Sequence, residues 1–200
     1  RRLWFVNRLE GASSTYNVSL ALRLRGAVDT EALRAALGDV VDRHEALRTI
    51  FTAHGGDPLQ RVLGTGEARE LLGFRVRDRA EADVATAIEE AIGQTFDLAR
   101  DLPVRADLLR VSEEESVLVV LTHHIATDGW SEGVLFRDLA EAYAARRRGQ
   151  SPGWEPLPVQ YADYTHWQNE LLDPANPDGV SAVQLDFWRR RLEGAPEVLD

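Results

Sequence analysis

Cysteine, lysine and methionine are all absent from this 200-residue sequence, and each absence closes off a chemistry. Without cysteine there are no disulfides, thiolate metal ligands or thiol nucleophiles. Without lysine there is no Schiff base and no phosphate-loop ammonium, so arginine supplies every fixed positive side chain. The missing methionine leaves no initiator, as expected of a piece of a longer protein. No apolar run approaches the roughly 20 residues of a membrane helix. Arg1-Arg2 is followed by a short apolar run and then Asn7-Arg8, which is no secretory signal. The formal net charge of −10 argues against nonspecific binding to nucleic acid. What remains, 44% hydrophobic and 28% charged, is the composition of a soluble globular domain with one core. A cytoplasmic location is expected by default, and no membrane or nucleic-acid partner.

The stretch at residues 117–131, VLVVLTHHIATDGWS, holds the chemistry. Val117 to Thr122 form an apolar, β-branched run of the kind a strand buried on both faces shows. It ends in His123 and His124, and an amphipathic pattern at residues 134–143 then predicts a helix. Open sheets place their chemistry at such strand-to-helix junctions. Alternation turns the two histidines to opposite sides, one toward a cavity and one toward structure. Asp128 stands at a helix start, where a carboxylate accepts backbone N–H groups or pairs with an arginine. The helix N-terminus disfavours imidazolium and leaves neutral imidazole free to accept a proton. A metal site built from His123, His124 and Asp128 is a poor reading, because alternate facing separates two of the three ligands.

The rest of the chain reads as elements around that junction. Residues 17–25 alternate as a half-buried strand. Asp29 is a helix N-cap, with Leu33, Leu37, Val40, His44 and Leu47 on the inner stripe and Glu31, Arg34, Asp39 and Arg43 on the other side. His44 is then expected as a hydrogen-bonded histidine inside the core. Residues 49–53 and 59–63 flank a turn carrying His54, a short strand lies near 74–77, and a second helix is expected over 80–96. Strands at 104–111 and 117–122 enclose Glu113, Glu114 and Glu115, read as a solvated hairpin tip. The helix after the junction closes in three arginines, 146–148, and Gly149. A proline-rich connection at 151–158 leads to Tyr161, Tyr164, Trp167 and Leu171 at helical spacing, expected as core. A last helix carries Leu185, Trp188 and Leu192. The order predicts an α/β fold, one open sheet with helices packed on it.

At this point the residues resemble a known family. His123-His124-Ile125-Ala126-Thr127-Asp128-Gly129 matches the HHxxxDG signature of condensation domains of nonribosomal peptide synthetases, and Trp130-Ser131 continues it in the usual way. Residues 1–5 resemble the tail of that family's first motif, 43–51 its second, 161–167 its fourth, and 187–196 the passage from the first lobe toward the second. The resemblance spans the chain. It implies a chloramphenicol-acetyltransferase-like fold in which two lobes form a V. This chain, residues 1–200, would be the N-terminal lobe, with a globular core at about 1–172, a lobe-connecting helix at about 180–194, and the C-terminal lobe absent.

The resemblance further implies amide bond formation between a donor acyl thioester and an acceptor aminoacyl thioester, in bacterial synthesis of antibiotics and other secondary metabolites. Both substrates would arrive on phosphopantetheine arms of upstream and downstream peptidyl carrier domains, with an adenylation domain adjacent. No cofactor is bound directly and no metal is implied. Among the site residues, His124 would be the functional histidine, as general base or as a positioning group, and His123 its structural companion. Asp128 would pair with an arginine, and Gly129 would let the backbone turn toward the substrate. Arg48, Trp130 and Ser131 would support the site, Arg48 in a fixed buried role. The isolated lobe is expected to fold, to be inactive, and to self-associate through its exposed lobe interface. Rival readings are a noncatalytic recruitment or docking domain on the same fold, an HxxxDG acyltransferase using coenzyme A, and an epimerisation domain. The intact histidine motif, the second and fourth motifs and Trp130-Ser131 count against them in turn.

Overall fold

In the computed structural model, which describes residues 2–11 and 13–196, the chain runs α1 (Arg2–Glu10), β1 (Asn17–Arg25), α2 (Thr30–Arg43), β2 (Thr49–His54), β3 (Asp57–Val62) and α3 (Thr65–Leu71). It continues β4 (Gly73–Asp78), α4 (Val84–Ile92), β5 (Val104–Ser112), β6 (Glu115–His123), α5 (Gly129–Arg146), α6 (Tyr161–Leu171) and α7 (Val180–Arg191). Arg1 of the first motif falls outside the described residues. Two compact units divide at Leu157 and Pro158.

The larger unit is organised by β6, which pairs antiparallel with β1 on one side and β5 on the other, while β4 lies parallel to β5 at the edge. Alternation sends Leu118 and Val120, with Val104, Ala106 and Leu108 of β5, into a core roofed by α2 and α5. Val117 and Val119 point the other way, onto Val84, Ala87 and Ala91 of α4. Both faces are covered, so β6 reads as a continuous apolar run. Helix α2 begins where Asp29 accepts the Ala32 N–H at 2.9 Å, a cap of about 1 kcal/mol. It lays Leu33, Ala36, Leu37, Val40 and Val41 against the sheet.

Several expectations need correction. The second helix does not fill 80–96: residues Glu81–Asp83 form a 3-10 turn, and α4 ends at Ile92 with Gly93 as its C-cap. Phe96 is buried nonetheless, from the following loop. The hairpin of β2 and β3 is a separate two-stranded sheet, not part of one sheet. Its turn uses Gly55 and Gly56 at φ +61° and +96°, which glycine adopts freely. Helix α3 had no reading in the sequence.

Helix α2 also ends earlier than its stripe suggests. His44 is the C-cap, and its Nε2 lies 2.9 Å from Asp138 Oδ2 on α5. Asp138 is buried and receives Arg43 and Arg137 as well. Burial pushes its carboxyl up, but the bonds from His44 and Arg137 more than offset that and leave it below the ordinary range. Asp39, placed on the outer side by the pattern, is buried too, held by Arg146 of α5 and Arg69 of α3. Gly38 makes room for that: a Cβ there would stand 2.7 Å from Arg69 Nη1.

In the smaller unit α6 and α7 present exposed aromatic faces. Tyr161, Tyr164 and Trp167 of α6 are exposed, as are Leu185, Phe187 and Trp188 of α7. The α6 stripe is therefore not the core of this unit, because neither helix contains a buried residue.

Candidate active site

The end of β6 is pinned from both sides. The His123 N–H donates to Pro103 O at 3.0 Å and the His124 N–H to Tyr16 O at 2.8 Å. Because these bonds extend the ladder, alternation persists through both histidines and separates their side chains. His123 is fully buried on the α4 side of the sheet, with Phe96 edge-on at 6.0 Å and Tyr16 at 6.2 Å between ring centroids. His124 is exposed.

The His123 ring has a defined proton. Its Nδ1 accepts the Ile125 N–H at 3.0 Å, so in the neutral ring the hydrogen sits on Nε2. Burial first, and the neighbouring His124 second, push its pKa down to about 4. The native state therefore excludes a proton that the unfolded chain binds below about 6.5. Stability is full above that pH and is lost as the pH falls toward 4, by roughly 3 kcal/mol in all. Urea unfolding at closely spaced pH values is expected to show this slope and His123→Gln to lack it. A slope unchanged by the substitution would refute the assignment.

After His124 the chain turns sharply. The Ala126 N–H donates back to His123 O at 3.0 Å, and the buried Thr127 hydroxyl meets that of Thr122 at 3.0 Å. Asp128 then caps α5: its Oδ1 accepts the Trp130 and Ser131 N–H groups at 3.1 and 3.0 Å and the Ser131 hydroxyl at 2.8 Å. The Ser131 Oγ accepts the Asp128 N–H in return at 3.1 Å, closing a capping box. The Ser131 hydroxyl, followed by the backbone N–H groups, holds the Asp128 carboxyl below its usual range. Among the described residues no arginine pairs with Asp128.

Two further site residues stand differently from expectation. Gly129 has no positive φ, and a Cβ there would meet nothing within 4 Å, so the turn does not require glycine. Arg48 is largely buried as expected, but it bonds the half-buried Glu45 and the Leu63 carbonyl, and among the described residues no bond joins it to residues 123–131. The stretch from His124 to Ser131 is thus one assembled group, with Trp130 91% exposed on the first turn of α5. Among the described residues no cluster of three or more metal-ligating side chains occurs, and no helix is long and apolar enough to cross a membrane. Sequence reasoning missed Tyr16 and Asn17. Asn17 pairs in register with His123, and its Nδ2 donates to Ile92 O and Gln94 O at 2.9 and 2.7 Å. Only the strand register, which the sequence does not show, brings it there.

Comparison with known proteins bears on all of this. A family model described as "Condensation domain" matches residues 1–200. The chain is 53% identical over 198 residues to CymA of Salinispora arenicola, a probable nonribosomal peptide synthetase, covering 98% of the chain and 2% of that protein. It is 50% identical over 204 residues to an isonitrile lipopeptide synthase of Mycobacterium tuberculosis, covering 100% of the chain and 8% of the synthase. Among solved structures, the X-domain from teicoplanin biosynthesis in complex with OxyB is 39% identical with a TM-score of 0.87, covering 100% of the chain and 43% of that one. The chain thus spans less than a tenth of these curated relatives and less than half of the solved chain.

Proposed function

The chain belongs to the condensation-domain family, and on that premise we propose that it is the first lobe of a domain that forms an amide between two carrier-borne thioesters. The family's domains serve nonribosomal peptide synthetases and form peptide bonds. The fold is the chloramphenicol-acetyltransferase-like α/β lobe of that family. In the proposed reaction an acceptor amine attacks the donor's thioester carbonyl, a C–N bond forms and the C–S bond breaks. The proton shed by nitrogen ends on the departing thiol of the phosphopantetheine arm. One observation carries the assignment of centre to His124: it is the exposed histidine, held by its backbone at the strand end while its neighbour is locked inside. Its imidazole would orient the amine or take its proton. A free amine is already a good nucleophile toward a thioester, so positioning supplies much of the acceleration.

The partners in this reading are the upstream and downstream carrier domains, an adjacent adenylation domain and the second lobe. Residues 1–200 alone are expected to be inactive, because half of the substrate tunnel would lie in that lobe. The test uses the full-length protein with a loaded donor carrier and a loaded acceptor carrier. Mass spectrometry of the acceptor carrier is expected to show the added donor acyl group. Absence of transfer with every cognate pair would overturn the reading in favour of a recruitment domain. That second reading draws on the solved X-domain, whose structure is a complex with another protein, OxyB.

A further inference from the structure

A buried donor and a buried acceptor, each without a partner among the described residues, occupy directly paired positions on β1 and β6. The donor is the His123 Nε2–H, which finds no hydrogen-bond partner among the described residues. It must be a donor, because Nδ1 is already the acceptor for Ile125. The acceptor is Asn17 Oδ1, likewise buried and without a partner. Its identity is fixed as well: the other end of the amide faces two carbonyls, Ile92 O and Gln94 O, which only the NH2 group can satisfy. Cross-strand partners in an antiparallel pair stand on the same face, about 4.5–5.5 Å apart at Cβ. Asn17 and His123 are such partners. Leaving either group unsatisfied carries its full desolvation penalty, whereas one water between a donor and an acceptor satisfies both.

We propose that Asn17 is a positioning residue for the site, its Oδ1 joined to the His123 Nε2–H through one ordered water. The link is continuous to the loop. Asn17 is tied to the end of α4 through Ile92 and Gln94, the water ties it to the His123 ring, and the ring's Nδ1 holds the Ile125 N–H. His124 lies between the two residues so held. The bridge keeps the proton on Nε2 and therefore keeps Nδ1 free to hold the loop. Among the described residues the other titratable groups beside the ring are Tyr16 and His124.

The existence of the bridge stands on geometry alone, while its consequence for catalysis rests on the proposed transfer. NMR of the full chain labelled with 15N-histidine reads the first. In Asn17→Ala the His123 Nε2–H is expected to exchange with solvent at least about tenfold faster than in the unchanged chain. Should that variant not fold, Asn17→Asp retains an oxygen at the same place. The carboxylate beside Nε2–H is then expected to make His123 take up its second proton at higher pH. Transfer by the full-length protein reads the consequence: Asn17→Ala is expected to lower kcat about tenfold and leave KM unchanged, as when a reacting group is misplaced without loss of substrate contacts. Unchanged Nε2–H exchange in Asn17→Ala, or unchanged titration of His123 in Asn17→Asp, overturns the bridge whatever the transfer assay gives. Faster exchange with unaltered kcat supports the bridge and overturns its link to His124. Faster exchange in a protein that transfers nothing supports the bridge and overturns the functional reading instead.

Discussion

Transfer by the full-length protein carrying His124→Ala is expected to fall by about a hundred- to ten-thousandfold, the range for loss of a positioned acid–base group. The loss would be chemical and not structural. His124 is exposed, and its anchoring bond to Tyr16 O is made by its backbone, which alanine keeps. Surface substitutions of this kind stay within about 0.5 kcal/mol of the parent in stability. Thermal unfolding should therefore show the variant intact while mass spectrometry of the acceptor carrier shows transfer gone. Glutamine at the same position separates the two roles left open for the imidazole. Its amide oxygen can accept a hydrogen bond from the amine but cannot take a proton at neutral pH. A rate within about tenfold of the parent for His124→Gln would make His124 an orienting group, whereas a rate as low as that of alanine would make it the base. Transfer that survives His124→Ala would remove His124 from the chemistry altogether.

How much of this was legible in the sequence depends on the range of the forces involved. Local periodicity gave the doubly buried β6, the strand β1 and the inner stripe of α2, because each needs only the residue's own neighbours to define a face. The opposite facing of His123 and His124 follows from the same alternation, and the bonds to Pro103 and Tyr16 carry it past the strand end. Asp128 could be placed at a helix start, and of its two expected roles the structure shows the acceptance of backbone N–H groups; the Ser131 hydroxyl that closes the capping box had no reading in the sequence. Helix α3 is seven residues long and buries only Ala68, too little to leave a periodic signal. The aromatic stripe of α6 looked like core because periodicity reports that a face is apolar, not what covers it. The largest omissions were polar. Asp39 lies on the polar side of α2 by pattern and is nevertheless buried, because Arg69 and Arg146, remote in sequence, cover it; Asp138 falls on the buried face of α5 and had no reading in the sequence, its partners Arg43 and His44 coming from far along the chain.

Asp39 is where that omission has its largest consequence. It is 7% exposed, and Arg146 grips it with two hydrogen bonds of 2.6 Å across 107 residues while Arg69 adds a third at 2.8 Å. Removing one partner of a buried ion pair costs about 3–5 kcal/mol, mostly because a charge is left without its counterion. Here the lower end, about 3 kcal/mol, is expected for Asp39→Ala. Arg69 keeps Asp42, 2.7 Å away, and Arg146 is 26% exposed and can turn partly toward water. Urea unfolding of the full chain would measure the loss. The double substitution Asp39→Leu with Arg146→Met removes both charges together, and its stability is expected to lie within about 1 kcal/mol of the parent, since apolar replacements of buried pairs are often neutral. That contrast separates the cost of an orphaned charge from the worth of the contact. If Asp39→Ala costs less than about 1 kcal/mol, in the range of an exposed pair, the Asp39 cluster does not hold α3 and α5 to α2, and the apolar stripes of α2 and α5 would hold those two helices together without it.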